Sequence, residues 1–197
     1  MSWLDQWRRS TRRAVAYAAR FPAQVNNIVA IGMPNFGSQS QAYRYLRSGR
    51  VKYGYVYTNV FLTMVACIIS RRVVGWLLPY LIKSVPREVA EDLVKHTWRS
   101  STSSLWEVVY RYDVAQDLRN LPTRIGVLFI HGELDVVAPL PHIEELAAEG
   151  SRWRLRVLRG VDHHPFLRDP DGCLATIDAT VRNAEYPPRL VAVSNNK

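Results

Sequence analysis

Cysteine is scarce: Cys67 and Cys173 are the only two in 197 residues, far apart and each within an apolar stretch. That spacing argues against a disulfide framework or a thiolate metal site and predicts two buried thiols in a reducing, cytoplasmic setting. No Cys/His cluster has metal-ligand spacing and no glycine-rich phosphate loop is present, so neither a metal nor another cofactor is expected. Long apolar runs are missing as well. VFLTMVACII, from Val60 to Ile69, is the most hydrophobic stretch and reaches half of the about 20 residues that span a bilayer; Arg71 and Arg72 follow it. Met1 to Arg13 has no apolar h-region, so no secretory signal is expected. Acidic residues are outnumbered, 17 against 26 Lys and Arg, and the resulting +9 favours anionic partners. The basic residues are scattered, however, and carry no nucleic-acid-binding signature.

What the chain does have is apolar content, 48% of its residues, enough for a substantial core in one domain with an insertion. AVAYAARFP, Ala14 to Pro22, reads as an alanine-rich helix packed closely on a sheet and stopped by proline. VNNIVAI, Val25 to Ile31, ends in a β-rich run and is followed by a Gly/Pro turn, the mark of a buried strand. From about Ser38 to Leu121 the character changes to aromatic and helix-permissive, and SVPREVAEDLVKHTW offers an early proline and acidic residues at a helix start. RIGVLFIHG, Arg124 to Gly132, is continuously apolar and predicts a strand covered on both faces. LPHIEELAAEG, Leu140 to Gly150, predicts a short helix. WRLRVLRG, Trp153 to Gly160, alternates apolar and arginine residues like a strand near a sheet edge. A last helix is expected from about Pro170 to Ala184.

Strands alternating with helices predict a parallel α/β sheet of about three strands with flanking helices. The expected domains are a core of residues 1–37 and 122–197 interrupted by a helical insertion, 38–121. Three strands make a narrow sheet of this kind, which points to something missing at the front.

In open α/β sheets reactive groups gather just past the carboxyl ends of strands, and two loops have that address. In HGELDVVAP, Asp135 follows a buried strand; in RGVDHHPFLRDP, His163 and His164 follow an edge strand. Taken singly, such an aspartate more often caps a turn and such a histidine is more often solvated. Together, separated by one strand-helix-strand unit, a carboxylate and an imidazole supply what is needed to fix one histidine tautomer and make it a general base.

These segments, AVAYAARFP, NNIVAIGMP, VLFIHGELDVVAP and VLRGVDHHPFLRDP in this order, resemble the C-terminal half of the α/β-hydrolase family, with residues 38–121 standing where many members insert a helical cap. The resemblance implies Asp135 as triad acid and His163, rather than tandem His164, as triad base. It also implies a nucleophile elbow ahead of the alanine-rich helix. Extending without gaps places Ser10 on the nucleophile, Thr11 on the residue whose backbone N–H serves the oxyanion, and Arg8 and Arg12 on the two elbow glycines. Arginine suits neither the strained backbone nor the close helix–strand approach those glycines permit.

The function this implies is serine-type hydrolysis of an ester or similar bond in an apolar small molecule. The alternative is an N-terminally truncated, non-catalytic remnant that keeps only the acid and base. Phe61, Leu62, Met64, Ile68, Trp76, Leu77, Tyr80 and Leu81 would favour an apolar substrate, although packing within the cap is the expectation placed ahead. Peripheral membrane contact, through the short apolar runs or through Trp3, Leu4 and Trp7 beside Arg8, Arg9, Arg12 and Arg13, is the less favoured reading.

Overall fold

A computed structural model describes residues 13–82, 86–95, 97–111 and 113–182 of the chain. In chain order, a helix over residues 13–20 (α1) precedes strand β1, Asn27–Ile31. Helices α2 (Gln39–Leu46), α3 (Gly54–Tyr57), α4 (Val60–Arg72), α5 (Leu78–Leu81), α6 (Arg87–Val94) and α7 (Trp98–Ser103) follow, with a π-helical segment, Ser104–Tyr110. Helix α8 (Val114–Arg119) leads into β2 (Gly126–Gly132), α9 (Leu140–Glu149), β3 (Trp153–Leu158), α10 (Pro165–Arg168) and α11 (Pro170–Arg182).

Two compact units result, one containing residues 13–35 and 113–182 and the other residues 36–111. The first holds a three-stranded parallel sheet in the order β1-β2-β3. Ile31 lies opposite Ile130, and Gly132 opposite Leu158. All seven residues of central β2 are buried. Its alternation explains why the run looked uniformly apolar. Val127 and Phe129 face a cluster with Val15 and Ala18 of α1, Leu118 of α8, and Ile143 and Leu146 of α9; Leu128 and Ile130 face Leu158, Cys173 and Ile177. Both sheet faces are therefore dry, which is the condition under which parallel strands read as continuous hydrophobic runs.

The helical unit has its own small core of Phe36, Ala42, Leu46, Val51, Leu105 and Tyr110. Ser38 caps α2 by accepting a hydrogen bond from the Gln41 amide, and Asn59 caps α4 by accepting one from Leu62. Tyr110 donates its hydroxyl to the Tyr57 carbonyl at 2.7 Å.

Two expectations change here. The division between units falls at Asp113 and not at 121/122, because Ala115, Leu118 and Leu121 bury themselves in the core of the sheet unit. And the apolar side chains expected to pack inside the insertion are largely exposed: Phe61, Leu62, Ile68, Trp76, Tyr80 and Leu81 all stand open to solvent. No described helix is long and apolar enough to cross a membrane.

Candidate active site

Both loops named from the sequence leave the same rim of the sheet, at the carboxyl ends of β2 and β3. They are stitched together. Past β2, the Glu133 amide donates to the Leu158 carbonyl and the Leu134 amide to the Val161 carbonyl, each at 2.9 Å, while the Glu133 side chain accepts from the Gly160 amide at 3.0 Å. This contact is so close that a Cβ on Gly132 would stand 2.2 Å from the Asp162 carbonyl oxygen. Only glycine fits there. At the end of β1, Gly32 takes φ +56°, a left-handed conformation suited to glycine, with its Cα against the backbone of His163.

The stitching delivers Asp135 and His163 to one another: Nδ1 of His163 lies 2.8 Å from Oδ2 of Asp135. The side chain of Asp135 is fully enclosed and that of His163 is 14% exposed. A carboxylate can only accept, so the shared proton sits on Nδ1 and the lone pair on Nε2 faces away from the acid. Nε2 has no hydrogen bond to any described residue, which leaves it available as a base.

Burying a carboxylate is costly unless its oxygens are satisfied. Here Oδ1 accepts from the Val137 and Ala138 amides at 2.9 and 2.8 Å, the turn chemistry of an aspartate followed by a helix, and Oδ2 accepts from His163. A second imidazole approaches the same oxygen: Nε2 of His131 lies 3.3 Å from Oδ2 and 2.7 Å from the Ala138 carbonyl. Because that carbonyl is an acceptor, His131 carries its proton on Nε2. Burial raises the Asp135 carboxyl's proton affinity, but the hydrogen bond and charge of His163, with the Ala138 amide and His131, outweigh it and hold the group below the usual carboxylate range. Burial pushes His131 the opposite way for a histidine, downward, so it stays neutral.

His164 does not share the acid. Its amide donates to Oδ1 of Asp162, its ring stands 5.4 Å from that of His163, and burial followed by the neighbouring His163 lowers its pKa. Asp162 is itself held by Nε and Nη2 of Arg168 at 3.1 and 2.6 Å. The structure thus brings together Asp135 and His163. Ser10, Thr11 and the arginines at positions 8 and 12 lie outside the described residues. Sequence reasoning missed His131 and the Asp162–Arg168 clamp; the one signal for His131 was a polar residue inside an otherwise apolar strand. Among the described residues no group of three side chains could hold a metal ion.

No family model matches the chain, and no curated protein matches it. Solved structures do. An α/β hydrolase from a Medee basin deep-sea metagenome library aligns with 88% of this chain and 62% of its own, at TM-score 0.58 and 15% identity. An N-formylmaleamic acid deformylase from Pseudomonas putida S16 aligns at TM-score 0.59 and 13% identity, covering 85% and 62%. A thermophilic esterase from Thermogutta terrifontis gives TM-score 0.54 and 15% identity, covering 88% and 61%. The chain therefore has the α/β-hydrolase fold in part, and it spans about three fifths of the length of the structures it matches.

Proposed function

We propose that this chain contributes the acid and base of a serine-type hydrolase acting on an ester or similar acyl bond. The observation that carries the reading is the 2.8 Å contact between an enclosed, fully bonded Asp135 carboxylate and Nδ1 of His163. In this reading His163 Nε2 takes the proton from a serine hydroxyl as that oxygen attacks the acyl carbon. Asp135 steadies the imidazolium that forms, and the proton then passes to the leaving group. Water, activated by the same nitrogen, releases the acyl group from the serine. Ser10 is the serine assigned to this role, with the Thr11 amide as one oxyanion donor and Asp135 as orienting acid. The three neighbours named above are a hydrolase, a deformylase and an esterase, which supports acyl chemistry as the reaction class.

A second reading has its own support. The elbow glycines are replaced by Arg8 and Arg12, so the 197-residue chain by itself is a non-catalytic remnant in which acid and base persist without a competent nucleophile. Hydrolysis of short and medium p-nitrophenyl esters separates the two, comparing the chain with Ser10→Ala, His163→Ala and Asp135→Asn. The hydrolase reading expects turnover that both Ser10→Ala and His163→Ala abolish; turnover unaffected by His163→Ala refutes it. Absence of turnover in the unmodified chain favours the second reading.

A further inference from the structure

Helix α4 is amphipathic the wrong way round. Positions 63, 67 and 70, a single helical face, are Thr, Cys and Ser. Thr63 is buried and bonds the Val56 carbonyl, and Cys67 meets the Ser101 hydroxyl of α7 at 3.5 Å. The outward face carries Phe61, Leu62, Ile68 and Ile69, and the chain beyond it exposes Val73, Trp76, Tyr80 and Leu81, with Trp76 75% and Phe61 65% open. Soluble helices put the large apolar groups inside and the small polar ones out. A contiguous run of exposed aliphatic and aromatic groups marks a surface that something covers.

Charge says what covers it. No Asp or Glu occurs between Asp5 and Glu88, and residues 36–112 carry eleven Lys and Arg against four acidic residues. Of those four, Glu91 is paired with Arg87 and Asp92 with Lys95. Arg71 and Arg72, at the end of the α4 stripe, and Arg99 of α7 have no carboxylate partner among the described residues. All three line one cavity of about 480 Å³, together with Ile68 and Trp98. An apolar wall continuous with the stripe and three guanidinium groups at its end match an amphiphile with an anionic head. Aliphatic Ile69, Val73 and Leu81 suit acyl chains and give nothing to a nucleic acid, whereas Trp76 and Tyr80 are the aromatic types that favour the boundary between headgroups and acyl chains. The 13-residue α4, about 20 Å long, is too short to cross a bilayer and long enough to lie along one.

We infer that the helical unit docks peripherally on an anionic lipid bilayer, the α4 stripe resting in the acyl boundary and Arg71, Arg72 and Arg99 taking lipid phosphates. The inference is independent of the hydrolase reading, because its test needs no turnover. The purified 197-residue chain is sedimented with vesicles of phosphatidylcholine alone and of phosphatidylcholine mixed with phosphatidylglycerol, at low and at physiological salt. Binding is expected only to the anionic vesicles, weakening as salt rises. Replacing an arginine near such a surface lowers partitioning about fivefold, so Arg71→Gln with Arg72→Gln and Arg99→Gln together should lower it about a hundredfold. Phe61→Ser with Ile69→Ser should abolish binding through the apolar half. Both variants change exposed side chains, and circular dichroism verifies that they fold.

Failure to bind anionic vesicles, equal binding to neutral ones, or unchanged binding by the triple glutamine variant overturns the inference. So does sedimentation equilibrium showing a dimer that Phe61→Ser with Ile69→Ser dissociates, since a second copy would then be the cover.

Discussion

Replacing Asp135 by asparagine changes one atom of the pair and should invert the chemistry of His163. The amide oxygen can keep the position of Oδ1, because two backbone amides donate to it at 2.9 and 2.8 Å. The NH₂ group must then occupy the place of Oδ2, 2.8 Å from Nδ1 of His163 and 3.3 Å from Nε2 of His131. A donor now faces Nδ1, so Nδ1 must accept and the His163 proton moves to Nε2. The nitrogen that faced outward as a base becomes a donor. At His131 two donors meet, since its proton is already committed to the Ala138 carbonyl.

Folding should survive this exchange. Bonds to a charged acceptor contribute about 1 kcal/mol more apiece than bonds to a neutral one, so a few kcal/mol are lost across the three hydrogen bonds from Val137, Ala138 and His163. Relief from burying a charge returns several kcal/mol, which leaves a small net change. Where a triad operates, the equivalent substitution lowers kcat by about 10⁴ through the wrong tautomer, and that is the loss expected for Asp135→Asn on p-nitrophenyl esters. Imidazole ¹⁵N spectra give a readout that needs no turnover: protonated Nδ1 in neutral His163 of the unmodified chain, protonated Nε2 in the variant. An unchanged tautomer would refute the reasoning even if activity fell.

Three further outcomes follow from the geometry. Gly132→Ala should destabilise the sheet unit by about 1–3 kcal/mol or more, because its Cβ would lie 2.2 Å from a backbone carbonyl that is fixed by the loop stitching; denaturant unfolding measures it, and a neutral effect would mean that the loops move apart freely. Cys173 is buried, and burial with nearby Asp169 raises its thiol to about 11, so in the folded chain a disulfide reagent should titrate half-buried Cys67 well before Cys173, with both reacting once the chain is unfolded. Burial lowers His131 from 6.5, so the folded chain binds fewer protons than the unfolded one below that pH. Stability should be flat above about pH 6.5 on this account and fall by up to about 1.4 kcal/mol per pH unit below it, until the folded pKa is reached. Asp135, whose folded pKa is depressed below 3.8, adds stability that is complete above that value and is lost only as pH falls through the lower folded one. The His131 window opens just below pH 6.5 and that of Asp135 only below 3.8, so His131→Gln should remove the slope that begins just below pH 6.5 in denaturation curves.

The sheet was legible because a strand with both faces covered cannot hide its pattern: GVLFIHG is apolar at every position but His131, and glycine ends it. The meeting of Asp135 and His163 was legible for a related reason. Parallel neighbouring strands place their exits side by side, so two loops each following a strand and a glycine share a rim whatever their own sequences. What sequence reading could not supply depends on which way side chains turn. VFLTMVACIIS reads as an almost unbroken apolar run, and nothing in it announces that Thr63 and Cys67 would bond inward while Phe61, Ile68 and Ile69 turned outward. The boundary at Asp113 was equally hidden, since α8 has only six residues and joins the sheet core through Ala115 and Leu118.

His131 shows the limit most clearly. Its spacing of four from Asp135 would stack the two side chains on a helix and separate them along an extended strand. Here the chain is neither, because the turn after Gly132 folds Asp135 back until its carboxylate meets the imidazole two residues behind the bend, and Asp135's amide bonds the Gly132 carbonyl at 3.3 Å. The acid is consequently flanked from both sides, by a histidine in the strand that stays neutral and by one in the loop whose Nε2 bonds no described residue. That asymmetry follows from burial, 1% against 14% side-chain exposure, and it makes the two imidazoles beside one oxygen, His163 bonded to it and His131 near it with its proton directed at the Ala138 carbonyl, unequal in the chemistry they can perform.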